Sequence, residues 1–240
     1  MWFDAGIVEL LVESVPAWGV VLLLLFSYIG SIYIIAPSVA IAYVRNRTAA
    51  ASWPVFVVGA YGCFVALKPL FGISRPPVGG PLSTDALPAL AAPIYEEAVA
   101  FSTGSFPSGH AVAATVFWGL VAVDLRISTF RRRLLVATTM VALICFSRVA
   151  LGAHYVGDVL GGVVIGALFL LASLEIRRRV RNQTLLFLSI GAVPAAGGLF
   201  TGRHTDAVLL LLILAGLWIG QRLEAQFFEP TSQPSKVNEL

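Results

Sequence analysis

Three short segments carry residue types and spacings suited to one kind of chemistry. They are Lys68-x6-Arg75-Pro76, Pro107-Ser108-Gly109-His110 and Ser147-Arg148-x5-His154-x3-Asp158. Together they supply three fixed cations, two histidines and one carboxylate. Lys68, Arg75 and Arg148 can neutralise a dianionic phosphate, the two arginines with forked hydrogen bonds. Ser108 is placed to cap a helix whose first N–H groups point at the same anion, adding a partial positive charge of roughly half a unit. Fixed cations of this kind stabilise the charge spread over the equatorial oxygens during phosphoryl transfer. His154 and Asp158 are four apart, so on a helix they share one face. The carboxylate can accept the N–H of one imidazole nitrogen and leave the other lone-paired as a nucleophile. His110, from a different segment, can protonate the leaving oxygen, and an unperturbed histidine pKa of about 6.5 suits that work near neutrality.

The elements that must position these residues are membrane spans. Hydrophobic residues make up 58% of the 240 and charged residues 12%, with a mean hydropathy of +0.87. A soluble domain carries about 25% charged residues, so the polar surface of a water-soluble protein is missing, and the apolar residues come in runs long enough to cross a bilayer. Seven candidate spans follow: roughly Pro16–Val44, Trp53–Phe71, Ser108–Asp124, Leu134–Leu151, Val156–Leu174, Thr184–Phe200 and Asp206–Leu223. The sixth is weakened by Gly191, Pro194, Gly197 and Gly198. Residues 72–106 read as a long loop. Residues 1–14 read as a short interfacial helix with Phe3, Ile7, Leu10 and Leu11 on its apolar side, with no cleavable signal peptide. Residues 224–240 read as a disordered tail after a single membrane-embedded domain, 1–223, with a motif core at 53–174 and extra helices at 184–223.

Alternating the breaks across the membrane sorts the basic residues. One side collects Arg45, Arg47, Arg126, Arg131, Arg132, Arg133, Arg177, Arg178, Arg179, Arg181, Arg222 and Lys236; the other collects only Lys68, Arg75, Arg148 and Arg203. The twelve-to-four split places the first side in the cytoplasm. The N-terminus is then expected outside, the C-terminus inside, and all three segments on the extracytoplasmic face.

In order and spacing the segments resemble the K-x6-R-P, P-S-G-H and S-R-x5-H-x3-D pattern of the type 2 phosphatidic acid phosphatase superfamily, which includes lipid phosphate phosphatases, undecaprenyl-diphosphate phosphatases, glucose-6-phosphatases and, more distantly, vanadium haloperoxidases. The resemblance implies an all-α polytopic bundle of about six to seven transmembrane helices around a catalytic four-helix core. It implies His154 as the nucleophile that forms phosphohistidine, Asp158 as its orienting partner and His110 as the general acid. Lys68, Arg75, Ser108, Gly109 and Arg148 would hold the phosphate, with no metal and no cofactor. The topology departs from the family's common six-span form, which has three spans before the first segment and one after the aspartate's helix begins; this chain reads as two before and two extra after. The implied activity is hydrolysis of a lipid phosphate or polyprenyl diphosphate at the cell membrane. Transfer to an alcohol acceptor needs the same first half-reaction; a haloperoxidase and a non-catalytic transporter are the other readings. Expected partners are the phosphorylated lipid or isoprenoid substrate and membrane lipids, with no nucleic acid; oligomeric state is not legible.

Other features have plainer explanations. Cys63 and Cys145 lie inside apolar runs and read as packing residues. His204, with Arg203 and Asp206, reads as a solvated turn, and Glu96 and Glu97 read as facing water on a loop that can gate the site. Gly157, Gly161, Gly162 and Gly166 read as close-packing positions on the fifth span.

Overall fold

The computed structural model describes residues 2–100, 103–180 and 182–228. Twelve α-helices follow one another: α1 (Ala5–Ser14), α2 (Ala17–Ile29), α3 (Ile32–Arg45), α4 (Arg47–Ala50), α5 (Trp53–Phe71), α6 (Ala92–Val99), α7 (Gly109–Asp124), α8 (Phe130–Ala150), α9 (Val156–Arg179), α10 (Gln183–Leu186), α11 (Val193–Phe200) and α12 (His204–Phe228). A π-helical stretch, Phe187–Ala192, joins α10 to α11. No strand occurs among the described residues. Among the described residues five stretches are long and apolar enough to cross a membrane, Arg47–Phe71, Phe130–Ala150, Val156–Arg179, Gln183–Phe200 and His204–Glu224, or six when the bent pair α1–α2 is taken as one span. α3 and α7 are apolar but shorter. At 1.5 Å per residue they reach roughly 21 and 24 Å, short of a hydrocarbon core of about 30 Å.

The expected first span, Pro16–Val44, is in fact two helices that part at Gly30–Ser31. Gly30 lies against the Ile144 side chain, leaving no room for a Cβ, and Ser31 folds its hydroxyl back onto the Tyr28 carbonyl at 2.7 Å. α2 therefore packs on α8 while α3 turns to pack on α5. Pro16 forces the residue before it, Val15, into an extended conformation, so α1 meets α2 at 120°.

The face of α1 also differs from expectation. Val8 and Val12 are buried against Ala111, Val149, Tyr155 and Val159, whereas Ile7 and Leu10 point outward. Phe3, though exposed, lies edge-on to Phe106 and Tyr155, and the Trp2 carbonyl accepts the Gly157 N–H at 2.7 Å. The Gly-rich sixth span forms a continuous wall on α5. Its glycines are contact surface: Gly191 faces Val55 and Leu214, and Gly198 faces Val65 and Ala207. α5 answers with Gly59 and Gly62, which press on the backbone at Ile190 and Ala195. On α9, Gly162 and Gly166 meet the backbone and small side chains of α7, the close approach read from the sequence. α12 runs on to Phe228, past Glu224 where the tail was expected to begin; residues 229–240 of that tail lie outside the described residues.

One end of the bundle is fastened by a polar cluster. Arg177 of α9 grips Asp124 of α7 with two hydrogen bonds, 2.8 and 2.9 Å, and also reaches Ser52 at 3.1 Å. Trp53 Nε1 donates to the same carboxylate at 2.8 Å. Asp124→Ala removes three charge-assisted or indole hydrogen bonds and strands a half-buried guanidinium. It is expected to cost about 1–3 kcal/mol, read as a lower Tm in detergent. An unchanged Tm would show that this end holds without the cluster.

Candidate active site

Toward the opposite end of α9, with Asp158 roughly 29 Å from Arg177 along the helix, the three segments converge. Lys68 sits one turn before the end of α5, which Gly72 stops in a left-handed conformation (φ 59°) with its N–H on the Lys68 carbonyl. Lys68 Nζ donates to the Gly104 carbonyl at 2.6 Å. Arg75, on the chain that follows, ties two loops together: Nε donates to the Thr103 carbonyl at 2.9 Å and one terminal nitrogen to the Ala153 carbonyl at 2.7 Å.

The third segment is folded by its own backbone. After α8 the chain doubles back, so that the Arg148 carbonyl accepts the N–H groups of Ala153 (3.1 Å) and His154 (3.2 Å). The reversal needs Gly152 at φ 74°, and a Cβ there would also press on the Gly79 carbonyl at 2.9 Å. Arg148 is fully buried, and one of its terminal nitrogens donates to Ser27 Oγ at 2.5 Å.

His154 is held on both ring nitrogens. Nδ1 lies 3.3 Å from Asp158 Oδ2, and Nε2 lies 3.3 Å from a terminal nitrogen of Arg75. A guanidinium only donates, so Nε2 is the acceptor and Nδ1 carries the proton that the carboxylate takes. Asp158 is fixed in turn: Oδ2 accepts the Tyr155 N–H at 2.8 Å, and Oδ1 lies 3.2 Å from the Ser105 hydroxyl. The Asp158 carbonyl accepts the Ser108 N–H at 3.1 Å, which joins the start of α7 to α9. Ser108 caps α7, its hydroxyl accepting the Ala111 N–H at 3.5 Å.

A cavity of about 220 Å³ lies in front of this assembly. Lys68, Arg75, Gly109, His110 and His154 line it. Ser108, Arg148 and Asp158 are buried in the wall behind. Helices α5, α7, α8 and α9 thus present Lys68, Gly109, His110, Arg148 and Asp158, while Arg75 and His154 sit on the chain just beyond α5 and α8 and Ser108 caps α7. Burial, then the charges of Arg75, Arg148 and Lys68, holds the His154 imidazolium well below the ordinary 6.5. Burial also lowers Arg75, against the pull of Asp158, to about 10, where it stays charged at neutral pH. A titration of His154 by NMR in the substrate-free protein is expected to show the ring neutral from pH 8 down through 6.5, with its midpoint below that value. A midpoint at or above 6.5 would contradict the burial and charge argument.

Several neighbours carried no signal in the sequence. Ser105 braces Asp158, and Thr103 anchors Arg75. Tyr28 and Tyr33 reach the cavity from an apolar run. Glu97, read as facing water, is exposed yet also lines the cavity, where its carboxylate accepts the Tyr33 hydroxyl at 3.3 Å. The loop that carries it is organised: α6 is tied down by Tyr28 Oη on the Ile94 carbonyl (2.9 Å) and by the Leu82 N–H on Tyr95 Oη (2.9 Å). His204 starts α12 beside the Arg203–Asp206 ion pair and is exposed. Both cysteines are free. Among the described residues no group of three or more His, Cys, Asp or Glu is placed to hold a metal ion.

The family model described as the PAP2 superfamily matches residues 50–182, a stretch that contains all three segments and the helices that present them. Among solved structures the chain is similar to the crystal structure of the first transmembrane PAP2 type phosphatidylglycerolphosphate phosphatase from Bacillus subtilis. The TM-score is 0.59 at 21% identity, covering 75% of this chain and 87% of that one. At this identity the likeness speaks for the fold. No curated protein matches the chain.

Proposed function

Because the chain belongs to the PAP2 superfamily, we propose that it is a membrane phosphatase acting on a lipid phosphate monoester or a polyprenyl diphosphate through a phosphohistidine. The observation that carries this reading is the double tether of His154: Asp158 on Nδ1 and Arg75 on Nε2, at the wall of a cavity that His110 shares. The Nε2 lone pair attacks phosphorus, and the P–O bond to the leaving alcohol or phosphate breaks as the N–P bond forms. His110 gives that oxygen its proton. Lys68 and Arg75, with the α7 N-terminus at Gly109, offset the charge on the equatorial oxygens, while Arg148 adds positive field from behind. Asp158 stabilises the positive charge left on the phosphorylated ring. His110 then takes a proton from water, which attacks phosphorus, releases inorganic phosphate and restores His154.

The substrate follows from where the site lies. It is surrounded by helices at one end of a bundle with lipid-facing walls, so a hydrocarbon tail stays in the bilayer while the phosphate enters the cavity. The distribution of Lys and Arg supports an orientation with that end outside the cytoplasm, the N-terminus outside and the C-terminus inside. Phosphate release from phosphatidic acid, a polyprenyl diphosphate and a water-soluble phosphomonoester, each with chelator present, tests the reading. Release from a lipid substrate that survives chelation supports it. No release from any of them by folded protein removes the hydrolase and leaves a transferase that needs an alcohol acceptor.

A further inference from the structure

The cavity of about 220 Å³ is smaller than the roughly 300–1,000 Å³ that encloses a drug-sized ligand. It accommodates a phosphate and its immediate ester, and the hydrocarbon must lie elsewhere. Three of its lining residues, Ile32, Tyr61 and Phe64, also line a second, much larger space of about 1140 Å³. That space is a groove walled by α3, α5 and α12. It is apolar along its length and polar only at its ends. The Arg203–Asp206 ion pair (2.6 Å) stands at the end near the site, and Glu224, bonded to Tyr43 (2.5 Å) and paired with Arg47, stands at the other. From Asp206 to Glu224 the α12 wall extends roughly 27 Å at 1.5 Å per residue, close to the thickness of a hydrocarbon core.

Resting on the lipid-phosphatase reading, we infer that this groove holds a hydrocarbon chain of the substrate, and that α12 sets the preference for chain length. Continuity with the catalytic cavity separates this occupant from bulk lipid or a second copy of the chain: a chain lying here leads its own phosphate to Lys68, Arg75 and His154. Two of the groove's three walls, α3 and α12, lie outside residues 50–182 that match the family model. At Gly216 and Gly220, on the groove side of α12, no atom lies within 4 Å of where a Cβ would stand. A side chain added there starts into open space on the groove side.

The test uses the full-length protein in detergent with dioleoyl and dihexanoyl phosphatidic acid, which share a head group and differ in tail. Gly216→Trp and Gly220→Trp are expected to lower the ratio of kcat/KM for the long substrate over the short one by at least tenfold. Ile219→Trp, on the same helix but outside the groove, is expected to leave the ratio at its wild-type value. A phosphatidic acid carrying a diazirine in its tail, photolysed in His154→Ala protein, gives a readout independent of turnover. Label on α3 or α12 that excess unlabelled substrate displaces supports the groove. A ratio unmoved by either tryptophan, a fall equal for both substrates, or displaceable label confined to α8 and α9 overturns it while the hydrolase stands. Absence of lipid hydrolysis by the wild-type protein overturns the proposed function instead.

Discussion

His154→Ala is expected to lower phosphate release by at least about 10⁴-fold in kcat, roughly 5.5 kcal/mol of barrier. The size follows from what the ring does. In the proposed route the imidazole is the atom that bonds phosphorus, so its loss removes the covalent path and leaves only binding and the cation field. Truncation at this position opens a small space beside Arg75 and leaves Asp158 with its Tyr155 and Ser105 partners, so the fold is expected to survive. Circular dichroism and Tm of the purified variant check that. Residual activity within tenfold of wild type would remove His154 from the chemistry.

Asp158→Asn carries the second largest expected effect, a fall of about 10²–10³-fold with substrate binding close to wild type. The substitution keeps the shape but turns an acceptor into an amide. Oδ2 now takes the Tyr155 N–H at 2.8 Å and the His154 Nδ1 proton at 3.3 Å. Those two donors share one acceptor, so the amide oxygen stays on them and the nitrogen turns to the Ser105 hydroxyl; the tautomer survives, but the negative charge that stabilises the phosphorylated ring is lost. The discriminating readout is the split between kcat and KM: a positioning role lowers kcat and leaves KM, whereas a purely structural role changes Tm and both constants together. His154 Nδ1 and Nε2 chemical shifts in the variant should report the wild-type tautomer, and a proton moved to Nε2 would contradict the argument.

The site was readable from sequence because its residues sit at the ends of apolar runs, where a Lys, Arg or Asp is conspicuous and the alternation of spans decides which ends meet. Lys68, His110, Arg148 and Asp158 each stand out in that way. What brings them together was less visible. Ser105 is one of several serines in a polar stretch, and only the fold shows its hydroxyl beside Asp158. The break at Gly30–Ser31 hides in an unbroken apolar run, because its cause, the Ile144 side chain, lies more than a hundred residues away. Glycines misled in one place and informed in another. On α9 their spacing announced close packing on α7. At Gly191, Gly197 and Gly198 the same property looked like weak helix, although the weakness is offset by close packing on Val55, Ala66 and Val65 of α5. For α1, helical spacing allowed two apolar stripes, and burial of Val8 and Val12 rather than Ile7 and Leu10 is a tertiary choice.

The most direct test of the account is to quench the purified protein within its first turnovers on a lipid substrate labelled in the terminal phosphate. The account predicts label bound to the protein, stable in base and lost in acid, recovered on a peptide containing His154 and absent from His154→Ala. Phosphate release with no labelled protein, at a rate that His154→Ala retains, would contradict it.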